Sequence, residues 1–140
     1  MSTRAIYTFY DARDEVHVYK HHDGYPYCKF DSGEAGGLVW INDAKKFAWD
    51  LPRFEADEFA ASFVAANKSN GGGVNLISDQ KPWEYASDCD YWYKVAHIVG
   101  GLYVIVMSVD WSGHGPRQLP VMEGFLDVLL AEQRARKEVA

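Results

Sequence analysis

Alternating large and small polarity opens the chain. In RAIYTFYD, Ala5, Tyr7 and Phe9 fall on one side of an extended backbone, and Ile6, Thr8 and Tyr10 on the other. Both sides are rich in β-formers, so the segment reads as a strand covered on both faces. DARDE is a polar turn. VHVYKHH then alternates Val16, Val18 and Lys20 against His17, Tyr19 and His21. Together the two runs predict an N-terminal β-hairpin.

The pattern changes period beyond Pro26. YCKFDSGEAGG carries turn residues, and Leu38 to Leu51 has helical spacing with Trp40, Ala44, Phe47, Ala48 and Leu51 on one stripe. Pro52 stops that helix. A second helix runs from Glu55 to Asn67. It has an acidic first turn, Phe59 and Phe63 four apart, Lys68 near its negative end, and Gly71-Gly72-Gly73 just past it. VNLIS, residues 74–78, reads as a short strand. DYWYKVAHIV and LYVIVMSVDW flank Gly100-Gly101 and predict a second hairpin with a Gly-Gly turn. SGHGPRQLP reads as a loop, and Pro120 as the opening of a C-terminal helix over Val121 to Glu138, with Val121, Phe125, Val128, Leu129 and Glu132 facing inward. The sum is an α+β single domain over residues 1–140. It is an antiparallel sheet of about five strands, two hairpins plus a short strand, with three helices packed mainly on one face.

Composition agrees with a folded core: 48% of the 140 residues are hydrophobic and 15% aromatic, which argues against disorder. The formal net charge of -6 is mild and contains no like-charge block, so it supplies no basic footprint for nucleic acid. Met1-Ser-Thr-Arg leads directly into a strand-like run without an apolar leader, and Leu102 to Met107 is too short to span a bilayer. With Cys28 and Cys89 in no CxxC pair, the expectation is a soluble cytoplasmic protein with reduced thiols and no membrane partner.

The chemistry-bearing stretch is YKHHDGYP, residues 19–26. Asp23-Gly24 serves a turn, and Pro26 keeps Tyr25 out of helical geometry. A turn does not need two adjacent histidines beside an acid. His21 or His22 with Asp23 could form a general acid-base dyad, since a carboxylate orients an imidazole. No nucleophile signature accompanies them. A zinc site from His17, His21, His22, Asp23 and Cys28 would match no usual spacing and would need the distant His97 or His114. No metal and no cofactor is therefore expected. Gly71 to Gly73 follow a helix and open a strand, the reverse of a phosphate loop, and GHGPR at 113–117 lacks its lysine-serine ending. Tyr7, Tyr10, Tyr19, Tyr91, Trp92, Tyr93, Tyr103 and Trp111 all fall in strand segments, so one sheet face could present aromatics to a partner.

Thr3-Arg4 before a strand, then Tyr19-x-His21-x-Asp23-Gly24-Tyr25-Pro26, resembles a family of small uncharacterised proteins of phages and prophages. The resemblance extends loosely to RFEADEFAASFVAANK with its triple glycine and to DYWYKV, roughly two thirds of the chain. YCKFDSGEA intervenes where family members enter the helix directly. The family has no established activity, so the resemblance implies a setting, the cytoplasm of a bacterial host cell, and no mechanism. The expected function is that of a non-enzymatic accessory protein binding a host or phage protein through Tyr19, His21, His22, Asp23 and Tyr25. Two alternatives stand beside it: a hydrolase or nuclease using His21, His22 and Asp23, and a small-ligand (nucleotide) binder. The β-rich aromatic surface also suits a homo-oligomer.

Overall fold

The computed structural model describes residues 3–22, 24–26, 36–68, 73–77, 89–113 and 115–139. Its elements are β1 (Ala5–Tyr10), β2 (Glu15–Lys20), α1 (Gly37–Ala44), α2 (Ala56–Lys68), β3 (Val74–Ile77), β4 (Tyr91–Ile98), β5 (Gly101–Gly113), β6 (Gly115–Phe125) and α3 (Leu126–Val139). The six strands form one sheet in the order β3-β2-β1-β4-β5-β6. The α+β class and both hairpins are as the pattern predicts. The sheet has one strand more than expected and is mixed, because β1 and β4 run parallel, Ala5 opposite Tyr91 through Tyr10 opposite Ala96. That seam joins the two hairpins. Hairpin patterns specify which neighbours in sequence pair; they carry no information on which strands of separate hairpins meet.

β1 is buried on both faces, as its composition predicts: Ala5, Ile6, Tyr7, Thr8 and Phe9 are all shielded from solvent. Its odd positions face the helices. Tyr7 stacks on Tyr93 of β4 with centroids 4.4 Å apart and meets Phe63 of α2 at 4.5 Å. Phe9 meets Phe59 and Phe63. Leu38 and Ile41 of α1 and Leu126, Leu129 and Leu130 of α3 complete this main core. A smaller cluster, Ile6, Ile77, Cys89 and Trp92, lies on the opposite face of the sheet.

Four local expectations are corrected. α1 ends at Ala44, with Leu38, Ile41 and Ala44 buried; Trp40, Ala48 and Leu51 of the expected stripe pack against the core, but Phe47 is 61% exposed. Of the chain predicted as a loop, residues 112–113 end β5 and residues 115–120, with the first turn of the predicted C-terminal helix, form the edge strand β6; the last helix starts at Leu126. Pairing with β5 outweighs local preference there. Pro120 is tolerated because an edge strand has a side without ladder bonds, and a register shift lies beside it. Val128, placed inward by the earlier phase, is half exposed, and Gln133 is buried. In the second hairpin Ile98 pairs with Gly101, so the two turn residues are Val99 and Gly100. Gly100 has φ 110°, a conformation that favours glycine.

Candidate functional site

The structure divides YKHHDGYP into two parts with different tasks. Gly24, Tyr25 and Pro26 form a strap under the helices. Gly24 N–H donates to the Thr3 carbonyl at 2.9 Å, and the Gly24 carbonyl accepts from the Tyr93 hydroxyl at 2.5 Å. The Tyr25 carbonyl accepts from Gly37 N–H at the start of α1, and the Pro26 carbonyl accepts from Gln133 Nε2 of α3 at 3.0 Å. A Cβ at Gly24 would lie 2.6 Å from Ala5 Cβ, so close backbone approach requires the glycine there. Tyr25 thus belongs to the fold through its backbone. Asp23 and Cys28 lie outside the described residues, so the His-Asp dyad does too.

Tyr19, His21 and His22 do come together. The Tyr19 hydroxyl and His21 Nδ1 are 2.7 Å apart, and the two rings meet edge-on. His21 and His22 also meet edge-on, with centroids 4.6 Å apart. His21 N–H donates to the Gly73 carbonyl, which carries the β2–β3 pairing one residue further. Desolvation, then the charges of Arg4 and His22, hold the His21 imidazole below the ordinary histidine range. A neutral imidazole has one donor and one acceptor. With Nδ1 engaged by Tyr19, His21 offers only Nε2 to a partner.

His17, aligned with His21 in the sequence, has a separate role. It is buried, and its Nδ1 lies 2.8 Å from Thr8 Oγ1, which accepts from Trp92 Nε1 at 2.8 Å. The hydroxyl hydrogen of Thr8 is best used toward Nδ1, which leaves the proton of neutral His17 on Nε2. Burial lowers its pKa, against the smaller opposing effect of Glu15. Of the two distant histidines considered for zinc, His97 stacks on Phe54, and His114 lies outside the described residues. Among the described residues no group of three or more side chains suited to a metal occurs. Cys89 is a buried free thiol, pushed up to about 12 by burial and then by the charge of Asp90.

Among the described residues the helices pack against one face of the sheet, and the opposite face carries Tyr10, Tyr19, Trp92, Tyr103 and Trp111 by strand alternation and register. Of the eight predicted strand aromatics, Tyr7 and Tyr93 instead enter the main core, and Tyr91 packs against it. On that opposite face each polar aromatic atom has a partner. Tyr10 is hydrogen-bonded to Glu15, Tyr103 donates to Glu123 Oε2 at 2.5 Å, and Trp111 Nε1 donates to the Cys89 carbonyl at 2.7 Å. Burial and the Glu15 carboxylate push Tyr10 up to about 12. Between the two tyrosines is a cleft of about 310 Å³ lined by Tyr10, Lys94, Val95, Ala96, Tyr103 and Ile105. Lys94 Nζ sits 5.2 Å from the centre of the Trp92 ring. Lys94 and Ala96 were not singled out from the sequence. Their signal was present as the alternation Trp92-x-Lys94-x-Ala96, which puts a cation and a small residue between aromatics. No helix among the described residues is long and apolar enough to cross a membrane. Comparison with protein-family models, with curated proteins and with solved structures gives no match, so the reading of this face rests on its geometry.

Proposed function

We propose that the chain is a non-enzymatic binding protein that docks another protein on the face of its sheet opposite α1, α2 and α3. This is the accessory role expected from the sequence, for which the YxHxDGYP resemblance supplies a phage or prophage setting. The observation that carries the reading is the cleft between Tyr10 and Tyr103. It is apolar at its floor, rimmed by tyrosines whose hydroxyls are held, and open to a partner. Rigid aromatics with satisfied polar tips suit an interface core. Tyr19 stands on the same face opposite Ile6, and His21, bonded to it, with His22 against His21, adjoins that face.

The test is capture of a partner by the tagged protein, with Ala96→Arg to fill the cleft and Leu76→Asp, on exposed strand β3, as a control. The reading expects a partner that Leu76→Asp retains and Ala96→Arg loses by about tenfold or more. Equal capture by both variants rejects the cleft. Loss only with His21→Ala and His22→Ala would move the interface to those histidines.

A further inference from the structure

We infer that the cleft takes an aromatic ring with an adjoining carboxylate, presented by the docked protein; this rests on the reading above and specifies the partner's anchor. The register dictates the shape. Tyr10 and Tyr103 stand on β1 and β5, both aligned with Ala96 of the intervening β4. Two strand spacings separate them, about 10 Å from backbone to backbone. A planar ring inserted between them needs contact on each side, about 7 Å in all. Ala96 leaves the floor low enough to admit it. The volume of about 310 Å³ falls at the small end of ligand sites, as one side chain requires. Both walls are braced from outside: Phe125 meets Tyr103 edge-on at 5.4 Å, and Glu15 holds Tyr10. A braced slot loses little freedom on binding.

Charge sets the orientation. Lys94 lies two residues before Ala96, on the same side of β4, and lines the cleft. It joins none of the ion pairs among the described residues, and its one described neighbour of electrostatic consequence is the Trp92 ring. Glu15 and Glu123 stand at the outer sides, turned to the tyrosine hydroxyls. An incoming carboxylate is repelled at those two positions and attracted only toward Lys94. The ring therefore enters beside Ala96 with its carboxylate pointing along β4.

The probe is N-acetylphenylalanine, titrated into ¹⁵N-labelled protein and followed by amide shifts, against its neutral amide. The acid should move the amides of Ala96, Tyr103 and Ile105, and either the neutral amide or Lys94→Met should weaken binding by about fivefold, the scale of one partly exposed ion pair. Ala96→Arg should abolish the shifts while the rest of the spectrum stays folded. No movement at these amides, or equal binding of acid and amide, overturns the inference. A concentration-dependent dimer that Ala96→Arg dissolves would assign the cleft to a second copy and overturn it too. If the probe fails but Ala96→Arg still loses a captured protein, the docking reading stands and only the anchor is wrong. If the probe binds and capture is indifferent to Ala96→Arg, the anchor chemistry stands and the docking reading fails.

Discussion

The two faces of the sheet use the same residue type for opposite purposes. On the helix-covered face, Tyr7 and Tyr93 donate to backbone carbonyls, of Gly37 and Gly24 respectively. Those bonds tie α1 and the strap to the sheet. A Cβ at Gly37 would collide with the Tyr93 hydroxyl, so α1 is seated directly on the tyrosine pair. On the face opposite α1, α2 and α3, Tyr10, Tyr19 and Tyr103 bond to side chains, Glu15, His21 and Glu123. Those bonds hold each ring in place and reach only within the sheet, along the strand's own course or to the strand paired beside it. A tyrosine that grips backbone builds tertiary structure; one that grips a neighbouring side chain prepares a surface.

The largest expected effect separates the faces by stability. Phe63→Ala, which opens a cavity against Tyr7 and Phe9, should cost about 3–5 kcal/mol in urea unfolding. Tyr103→Ala should cost about 1 kcal/mol, the scale of its edge-on contact with Phe125. Equal costs would mean that Tyr103 is packed as tightly as the main core. A smaller effect probes the buried polar trio. Thr8→Val leaves Trp92 Nε1 and His17 Nδ1 without their shared partner and should cost about 1–3 kcal/mol. A neutral outcome would show that those groups find other partners.

The smallest effect is a pH dependence. His17 has a lowered folded-state pKa, so below the ordinary histidine value the unfolded chain binds more protons than the folded one. Stability should be complete above about pH 6.5 and decline as pH falls through that value, levelling off below the folded pKa. His21 acts with the same sign. Asp11 acts separately and at lower pH. Its carboxylate accepts from Ala56 N–H at the start of α2 and from the amides of Arg13 and Asp14, which lowers its pKa. Its contribution is present above the ordinary aspartate value and is lost as pH falls through the folded one. Urea midpoints across pH should show the upper limb flattened in His17→Gln and the lower limb flattened in Asp11→Asn. Limbs unchanged by these substitutions would assign the titration to other groups.

The sequence made the hairpins and α2 legible because each is specified by local period. The two-sided covering of β1 was legible too, since Ile6 and Thr8 are as strand-like as Tyr7 and Phe9. β6 was not. Pro116 and Pro120 argue locally for a loop and a helix start, and only pairing with β5 makes an edge strand of them. The YKHHDGYP stretch was legible as a motif but not in its division. Nothing in Gly24-Tyr25-Pro26 announces that Tyr93 and Gln133, far along the chain, will bind its carbonyls. His17 and His21 share a strand phase, yet one is buried against Thr8 and the other sits at a partly exposed edge. That difference arises from the neighbouring strands.

The parallel seam between β1 and β4 also governs how the chain assembles in time. Each hairpin closes over a short segment, an event on the order of microseconds. Across the seam, Asp90 Oδ2 accepts from Arg4 N–H, a contact between residues 86 positions apart. Such non-local pairing raises the contact order, and the loop-closure entropy must be met before the contacts reward it. The two hairpins can form independently, but the Tyr7–Tyr93 stack on one side and the Thr8–Trp92 bond on the other exist only once the seam has closed. The packing on both faces of the sheet is thus completed in a single event.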